Sequence, residues 1–292
     1  MIDLSRVIRS RRSSNVPLPR SWRWRSQPFP YEQKKEPFLP GNEDLPQKCA
    51  SLSVIFPAFN EEQNIRTIIE FAQRVLPNLA ETWEIILVDD GSQDATRAIC
   101  DELAALDDQV QTIHHSSNLG YGAALKSGII AAKHDLIFLT DSDGQFDLKE
   151  LRQLIRWSNE YHIVAGYRGK RRDSFYRSLN AFGWNALVRL VLGLKVRDID
   201  CAFKLFHREV FSHVQIRSVG AMVNTEILAQ ATRFGMRIHE VEVTHFPRRY
   251  GKASGANIRV ILKALRELVR LRHDLRRVPQ AHRGLTSPLH RK

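Results

Sequence analysis

The residues of this chain with the plainest chemical potential are Asp141, Ser142, Asp143, Gly144 and Gln145, which directly follow the apolar run Leu136 to Leu139. Two carboxylates one residue apart at a strand end can reach a single hard divalent cation, and the Gln145 carbonyl adds a further oxygen. Mg²⁺ or Mn²⁺ suits such a set, and its use would be to bridge two phosphates and neutralise a departing diphosphate. Acidic residues beside glycine also make ordinary turns, so the reading depends on what else reaches the same place.

Two further acidic positions are expected there. Asp89 and Asp90 end the apolar run Trp83 to Val88, and Glu61 follows Pro57, Phe59 and Asn60 after the run Leu52 to Phe56. In one parallel sheet the carboxyl ends of such strands open on one crevice. Carboxylates in it can accept hydrogen bonds from a base imide or ribose hydroxyls, with Pro57 and Phe59 as an apolar wall. The stretch Asp90 to Asp94 serves equally as a turn and helix cap. Asn118, Gly120 and Gly122 precede a helix that carries Lys126 one turn in, where free backbone amides suit a phosphate donor. A tight turn accounts for those glycines as well.

The elements that must position these groups follow from periodicity. Strands are expected at 52–56, 83–88, 110–114 and 136–140, and helices at 61–75, 95–106 and 122–133, because apolar residues recur at helical spacing between short apolar runs. This alternation predicts an α/β fold with a mainly parallel central sheet and helices on both faces. The first strand–helix turn reads Pro57-Ala58-Phe59-Asn60-Glu61 and lacks a GxGxxG fingerprint, which argues against a nicotinamide enzyme.

Length and charge narrow the class. The chain has 292 residues, 43% of them hydrophobic, enough for one sizeable domain with flanking segments. Residues 1–48 carry seven of the twelve prolines and a net charge of +5, which predicts a flexible arm. Residues 49–246 carry −4 and residues 247–292 carry +11. An acidic body with a basic end argues against nucleic acid and for an anionic membrane surface touched from one side. Ser178 to Leu194 and Ile258 to Val278 mix apolar and basic residues as interfacial helices do. No run approaches the ~18–20 apolar residues of a spanning helix, no secretory signal is evident, and the three cysteines show no metal or disulfide spacing. A peripheral location on the cytoplasmic face of a membrane is the expectation.

Together these residues resemble family 2 glycosyltransferases of the GT-A fold, particularly the dolichyl-phosphate mannosyltransferase-like, polyprenyl-phosphate branch, over Leu52 to Leu271. Phe56 to Glu61 is similar to the family's VPxYNE with Phe59 in place of tyrosine, Val88 to Thr96 matches VDDGSxDxT, and Asp141 to Gln145 matches DADxQ with Ser142 in the middle. The resemblance implies a GT-A domain over 49–250 and a basic amphipathic segment over 251–292. It implies that Pro57, Phe59, Glu61 and Asp89 hold the nucleotide, and that Asp141, Asp143 and Gln145 hold the metal and diphosphate. Gly166 to Arg168 matches a strand ending in GxR, Arg177 falls where the branch places a phosphate-binding arginine, and Asp198 to Phe206 is similar to DxxCGFKLF. Asn224-Thr225-Glu226 resembles the position of a catalytic base, with Asn224 equally a helix cap. Arg248 and Lys252 resemble a basic loop over donor and acceptor phosphates.

The implied reaction is inverting transfer of a hexose from a nucleotide diphosphate sugar, of GDP-mannose or UDP-glucose type. A lipid phosphate acceptor is already nucleophilic and needs arginines more than a base. A carbohydrate or protein hydroxyl would need Glu226 as base. A non-enzymatic nucleotide-sugar-binding protein is the remaining alternative.

Overall fold

The protein is described by a computed structural model that covers residues 48–169, 183, 186–250 and 258–277. Arg177, Lys252, most of the arm at 1–48 and the chain beyond 277 lie outside the described residues. Seven strands form one sheet: β1 (Cys49–Ala58), β2 (Ala80–Asp89), β3 (Val110–His114), β4 (Leu136–Leu139), β5 (Ile163–Arg168), β6 (Lys204–His207) and β7 (Ile238–Val243). Their spatial order is β3-β2-β1-β4-β6-β5-β7.

β1 pairs parallel with β2 and with β4, and β2 with β3, so Ala58, Asp89, His114 and Leu139 all end at one edge. β6 is antiparallel to both β4 and β5, with Lys204 opposite Leu139 on one side and Ala165 on the other. Because β6 runs backwards, its first residue lies where β4 and β5 finish. A buried lysine thereby enters the same edge as Asp141 and Arg168.

The strands are apolar on both faces, as a covered parallel sheet requires. Leu52, Val54, Phe56, Leu87 and Phe138 point to one side, where α1 (Ile65–Val75), α2 (Thr96–Leu106) and α4 (Leu151–Ile155) cover them. Ile55, Ile86, Val88, Ile137 and Leu139 point to the other, under α3 (Tyr121–Ala131) and α6 (Val223–Arg233). Each fully buried Leu, Ile or Phe contributes about 1.5–3 kcal/mol, so the two layers fix the strand ends firmly. The short α5 (Val210–His213) follows β6.

The last described element, α7 (Ile258–Arg277), packs Leu268, Leu271 and Leu275 into the second layer. The basic segment is thus partly integrated into the domain, with Arg266, Arg270, Arg272 and Arg276 left exposed. Residues 186–192 are helical, burying Val188 while Leu190 stands 83% exposed. Arg272 donates to the Val191 carbonyl at 2.6 Å and links the two helices. No helix among the described residues is long and apolar enough to cross a membrane.

Candidate active site

The crevice is built from loops at the carboxyl ends of β1, β2 and β4. After β1, Asn60 takes a left-handed backbone (φ 56°), and its side-chain oxygen accepts from the Gln93 amide at 2.8 Å while its own amide donates to Ser92 at 3.0 Å. Asn60 therefore ties the first loop to the second. Pro57 is buried and Phe59 is exposed, so of the expected apolar wall only Phe59 faces outward. The Glu61 amide donates to Thr96, and its carboxylate accepts from Asn64 at 2.6 Å. Burial raises the Glu61 carboxyl above its ordinary range, with Asn64 and Arg248 opposing.

Asp89 and Asp90 do different work. One Asp89 oxygen accepts from the Ser92 amide at 2.9 Å; the other lies 3.1 Å from His114, whose second nitrogen is 2.7 Å from Asp101. Burial would raise the Asp89 carboxyl, but the Ser92 hydrogen bonds and His114 outweigh it and hold it below the usual range. Asp90 receives the Leu119 amide at 2.9 Å and the Gly120 amide at 2.8 Å, with His115 2.6 Å away. With both oxygens engaged in the protein's own loop, Asp90 shapes the stretch 118–120. Gly120 sits at φ 103°, and a Cβ there would come within 2.3 Å of the Val219 carbonyl, so this loop requires glycine. Asn118 is exposed beside it. Lys126 is exposed further along α3, and no hydrogen bond or ion pair among the described residues joins it to the strand-end acids.

After β4, Asp141 accepts from the Tyr121 hydroxyl at 3.0 Å, Ser142 donates to the Pro57 carbonyl at 2.8 Å, and Asp143 accepts from the Gln145 amide at 3.1 Å. Ser142 is a strut between β1 and β4. Gln145 is joined twice to Phe246: its side-chain nitrogen donates to the Phe246 carbonyl at 2.8 Å, and its carbonyl accepts from the Phe246 amide at 2.8 Å. That pairing carries the segment after β7 across the crevice. Arg248 then bonds Glu61 and lies 4.0 Å from Asp143, while its third nitrogen donates to the Tyr250 carbonyl at 2.7 Å.

Burial raises the Asp141 carboxyl, with Tyr121 and the charges of Arg168, Lys204 and Arg248 pulling the other way. Burial, then the charge of Asp141, pushes Asp143 up to about 7. An all-oxygen set whose members repel one another fits a hard divalent ion. Asp141 and Asp143 are the residues that would hold it; the Gln145 main-chain carbonyl is taken by the Phe246 amide, which leaves its side-chain oxygen to join them. Two carboxylates leave most positions to phosphate or water oxygens, which is the habit of Mg²⁺ in phosphate sites.

On the far side, Arg168 is clamped by Asp198 through contacts of 2.7 and 2.8 Å. Burial works against its charge, but Asp198 raises its pKa above the ordinary arginine value. Lys204 is fully buried and donates to the Ile199 and Cys201 carbonyls, and burial lowers its pKa. Glu226 is buried in α6, and one of its oxygens accepts from the Arg217 amide at 3.0 Å and the Ser218 amide at 2.8 Å. It braces the loop before α6. Asn224 lies inside α6, whose cap position is Met222, so it does not cap the helix, and its side chain neighbours the Tyr121 hydroxyl. Roles for Tyr121, Lys204 and the histidine pair were not foreseen in the sequence, and Asn224 was expected only as a helix cap; the doublet His114-His115, on the strand beside Asp89-Asp90, offered the one signal.

The model of the family described as Glycosyl transferase family 2 matches residues 53–215, more than half of the chain. The chain belongs to glycosyl transferase family 2. It is similar to glycosyltransferase AglD of Haloferax volcanii, 34% identical over 212 residues that make up 68% of this chain and 33% of that protein. It is 30% identical to dolichyl-phosphate beta-glucosyltransferase ALG5A of Trichomonas vaginalis, over 71% of each chain. It is 29% identical to undecaprenyl-phosphate 4-deoxy-4-formamido-L-arabinose transferase of Proteus mirabilis, over 74% of this chain and 66% of that one. The match thus spans a third of the length of the first of these proteins and about two thirds of the others. Among solved structures, glucosyl-3-phosphoglycerate synthase from Mycobacterium tuberculosis with Mn²⁺, uridine diphosphate and glucosyl-3-phosphoglycerate superposes with a TM-score of 0.58 at 19% identity, covering 82% of this chain and 84% of that one. The fold is GT-A, as the order of motifs led us to expect.

Proposed function

We propose that this family 2 chain transfers a hexose, with inversion, from a nucleoside diphosphate sugar to a polyprenyl or dolichyl phosphate at the cytoplasmic face of a membrane, using Mg²⁺ or Mn²⁺. The observation that carries the acceptor is the engagement of Glu226 with two backbone amides, together with two arginines, Arg168 and Arg248, whose charges both act on Asp141. A phosphate oxygen attacks without a base, and cationic side chains suffice to hold it. The names of the relatives from T. vaginalis and P. mirabilis, both transferases to a lipid phosphate, support the same class of acceptor.

Each group has a task in this reading. Glu61 receives donors of the base and ribose and Phe59 lies against the base, while Asp89, whose oxygens meet the Ser92 amide and His114, orients the loop around them. A divalent ion held by Asp141 and Asp143 supplies neutralisation of the leaving diphosphate. Arg248 turns from the carboxylates to the phosphates, and Arg168, held rigid by Asp198, serves the acceptor phosphate. The exposed arginines of α7 and the +11 charge of residues 247–292 suit anionic lipid.

The test is transfer by the purified chain with radiolabelled GDP-mannose and UDP-glucose in parallel, Mn²⁺ or Mg²⁺, and polyprenyl phosphate in detergent. Label in the organic phase that EDTA abolishes is the expected result. Label confined to water-soluble products would overturn the lipid acceptor.

A further inference from the structure

Asp141 has a partner that the motif alone does not reveal. The Tyr121 hydroxyl donates to one Asp141 oxygen at 3.0 Å, and the side chain of Asn224, which is 5% exposed, neighbours the same hydroxyl. We propose that Tyr121 is a positioning residue for the cation-binding carboxylate of Asp141, oriented in turn by Asn224; this inference rests on the divalent-ion site of the proposed function.

The backbone around Tyr121 leaves its ring little freedom. The preceding Gly120 is fixed through its amide by Asp90 at 2.8 Å, and the following Gly122 donates its amide to the Val219 carbonyl at 2.9 Å. The phenol therefore projects from a loop held on both sides, at the first residue of α3. A carboxylate at a strand end can otherwise turn about its own side-chain torsions, and a hydrogen bond to one oxygen selects the direction in which the other points. Asn224 stands on α6, two residues before Glu226, which braces Arg217 and Ser218. The direction of Asp141 is thereby set by the loop before α3 and by the helix that supports the 217–219 loop.

The experiment is a Mn²⁺ titration followed by electron paramagnetic resonance on the full chain, for wild type, Tyr121→Phe, Asn224→Ala and Asp143→Asn. Tyr121→Phe keeps the ring and removes only the hydroxyl. We expect its Mn²⁺ affinity to fall about tenfold, with a changed line shape of the bound ion and an unchanged near-ultraviolet circular dichroism spectrum. Asn224→Ala moves both readouts the same way by less. Wild-type affinity and line shape in Tyr121→Phe, alongside loss of binding in Asp143→Asn, would overturn the inference and leave the metal site standing. Wild-type chain that binds no Mn²⁺, or Asp143→Asn that binds it as well as wild type, would remove the metal site and the inference together. A merely structural role for Tyr121 would change the melting temperature and leave the line shape of the bound ion untouched.

Discussion

Arg248 lies with one guanidinium nitrogen 4.0 Å from Asp143 and another bonded to Glu61, so a side chain from beyond β7 sits between the carboxylates that end β1 and β4. A guanidinium there relieves the mutual repulsion of Glu61, Asp141 and Asp143, and it stands where the phosphates of a donor would arrive. Its position follows from Gln145, which pins Phe246 by two hydrogen bonds.

Replacing Arg248 by methionine separates its two roles. Mn²⁺ affinity in the absence of donor rises, because a competing cation has gone. The transfer rate falls by about 10²–10³, the usual loss when one preorganised donor to a developing oxyanion is removed. Parallel Mn²⁺ titration and initial-rate measurements check this; weaker Mn²⁺ binding by the variant would contradict it.

Asp143→Asn trades activity for stability. The Asp143 carboxyl is pushed up to about 7 in the fold against 3.8 for the free group, so the folded chain binds the extra proton between those values. Its stabilising share is complete below 3.8 and is lost as pH rises through about 7. At pH 8 the neutral amide avoids that loss, and the variant should melt about 2–4 °C higher, the shift that ~1 kcal/mol gives in a domain of this size. At pH 5 the advantage should shrink, and transfer should be absent at both. Differential scanning calorimetry at the two pH values decides the matter; an equal advantage at both would contradict the assignment.

The strands and helices of the first half were legible because each is a short apolar run or a helical period bounded by turn residues. Boundaries moved by a few residues: the first strand runs Cys49–Ala58 where 52–56 was expected, and the first helix begins at Ile65. β6 was not legible as a strand. It is four residues long, begins with a buried lysine, and gains its place only by pairing with strands far away in sequence.

The acidic motifs were legible as a set, but their division of labour was not. Asp89 and Asp90 are neighbours of one type, and only the fold shows that Asp90 is consumed by the Leu119 and Gly120 amides. Tyr121 lies twenty residues from Asp141, a distance at which spacing carries no signal. The fate of Glu226 was equally hidden, since helix-start acids look alike whether they serve as a base or as a brace.

Asp90→Asn should loosen the 118–120 loop. An amide offers one acceptor oxygen where the carboxylate offered two, and leaving a buried donor unpaired costs about 1–3 kcal/mol. Faster hydrogen exchange at Leu119 and Gly120 with a raised donor KM is the expected outcome. Unchanged exchange at both amides would show that the loop is held by something else.

Glu226→Gln distinguishes a brace from a base. The glutamine carbonyl still accepts from Arg217 and Ser218, so a brace survives and the rate stays within about tenfold of wild type. Loss of a general base would cost on the order of 10²–10⁴. Steady-state rates with polyprenyl phosphate as acceptor give the answer.

In the proposed reaction the acceptor nucleophile is a lipid phosphate. The most direct measurement compares polyprenyl phosphate with the corresponding polyprenol under identical detergent, donor and Mn²⁺, identifying products by mass spectrometry. A polyprenyl phosphate bearing one hexose, with no product from the alcohol, is the expected result. Equal transfer to the alcohol, or transfer only to soluble hydroxyl acceptors, would contradict it and return Glu226 to the role of base.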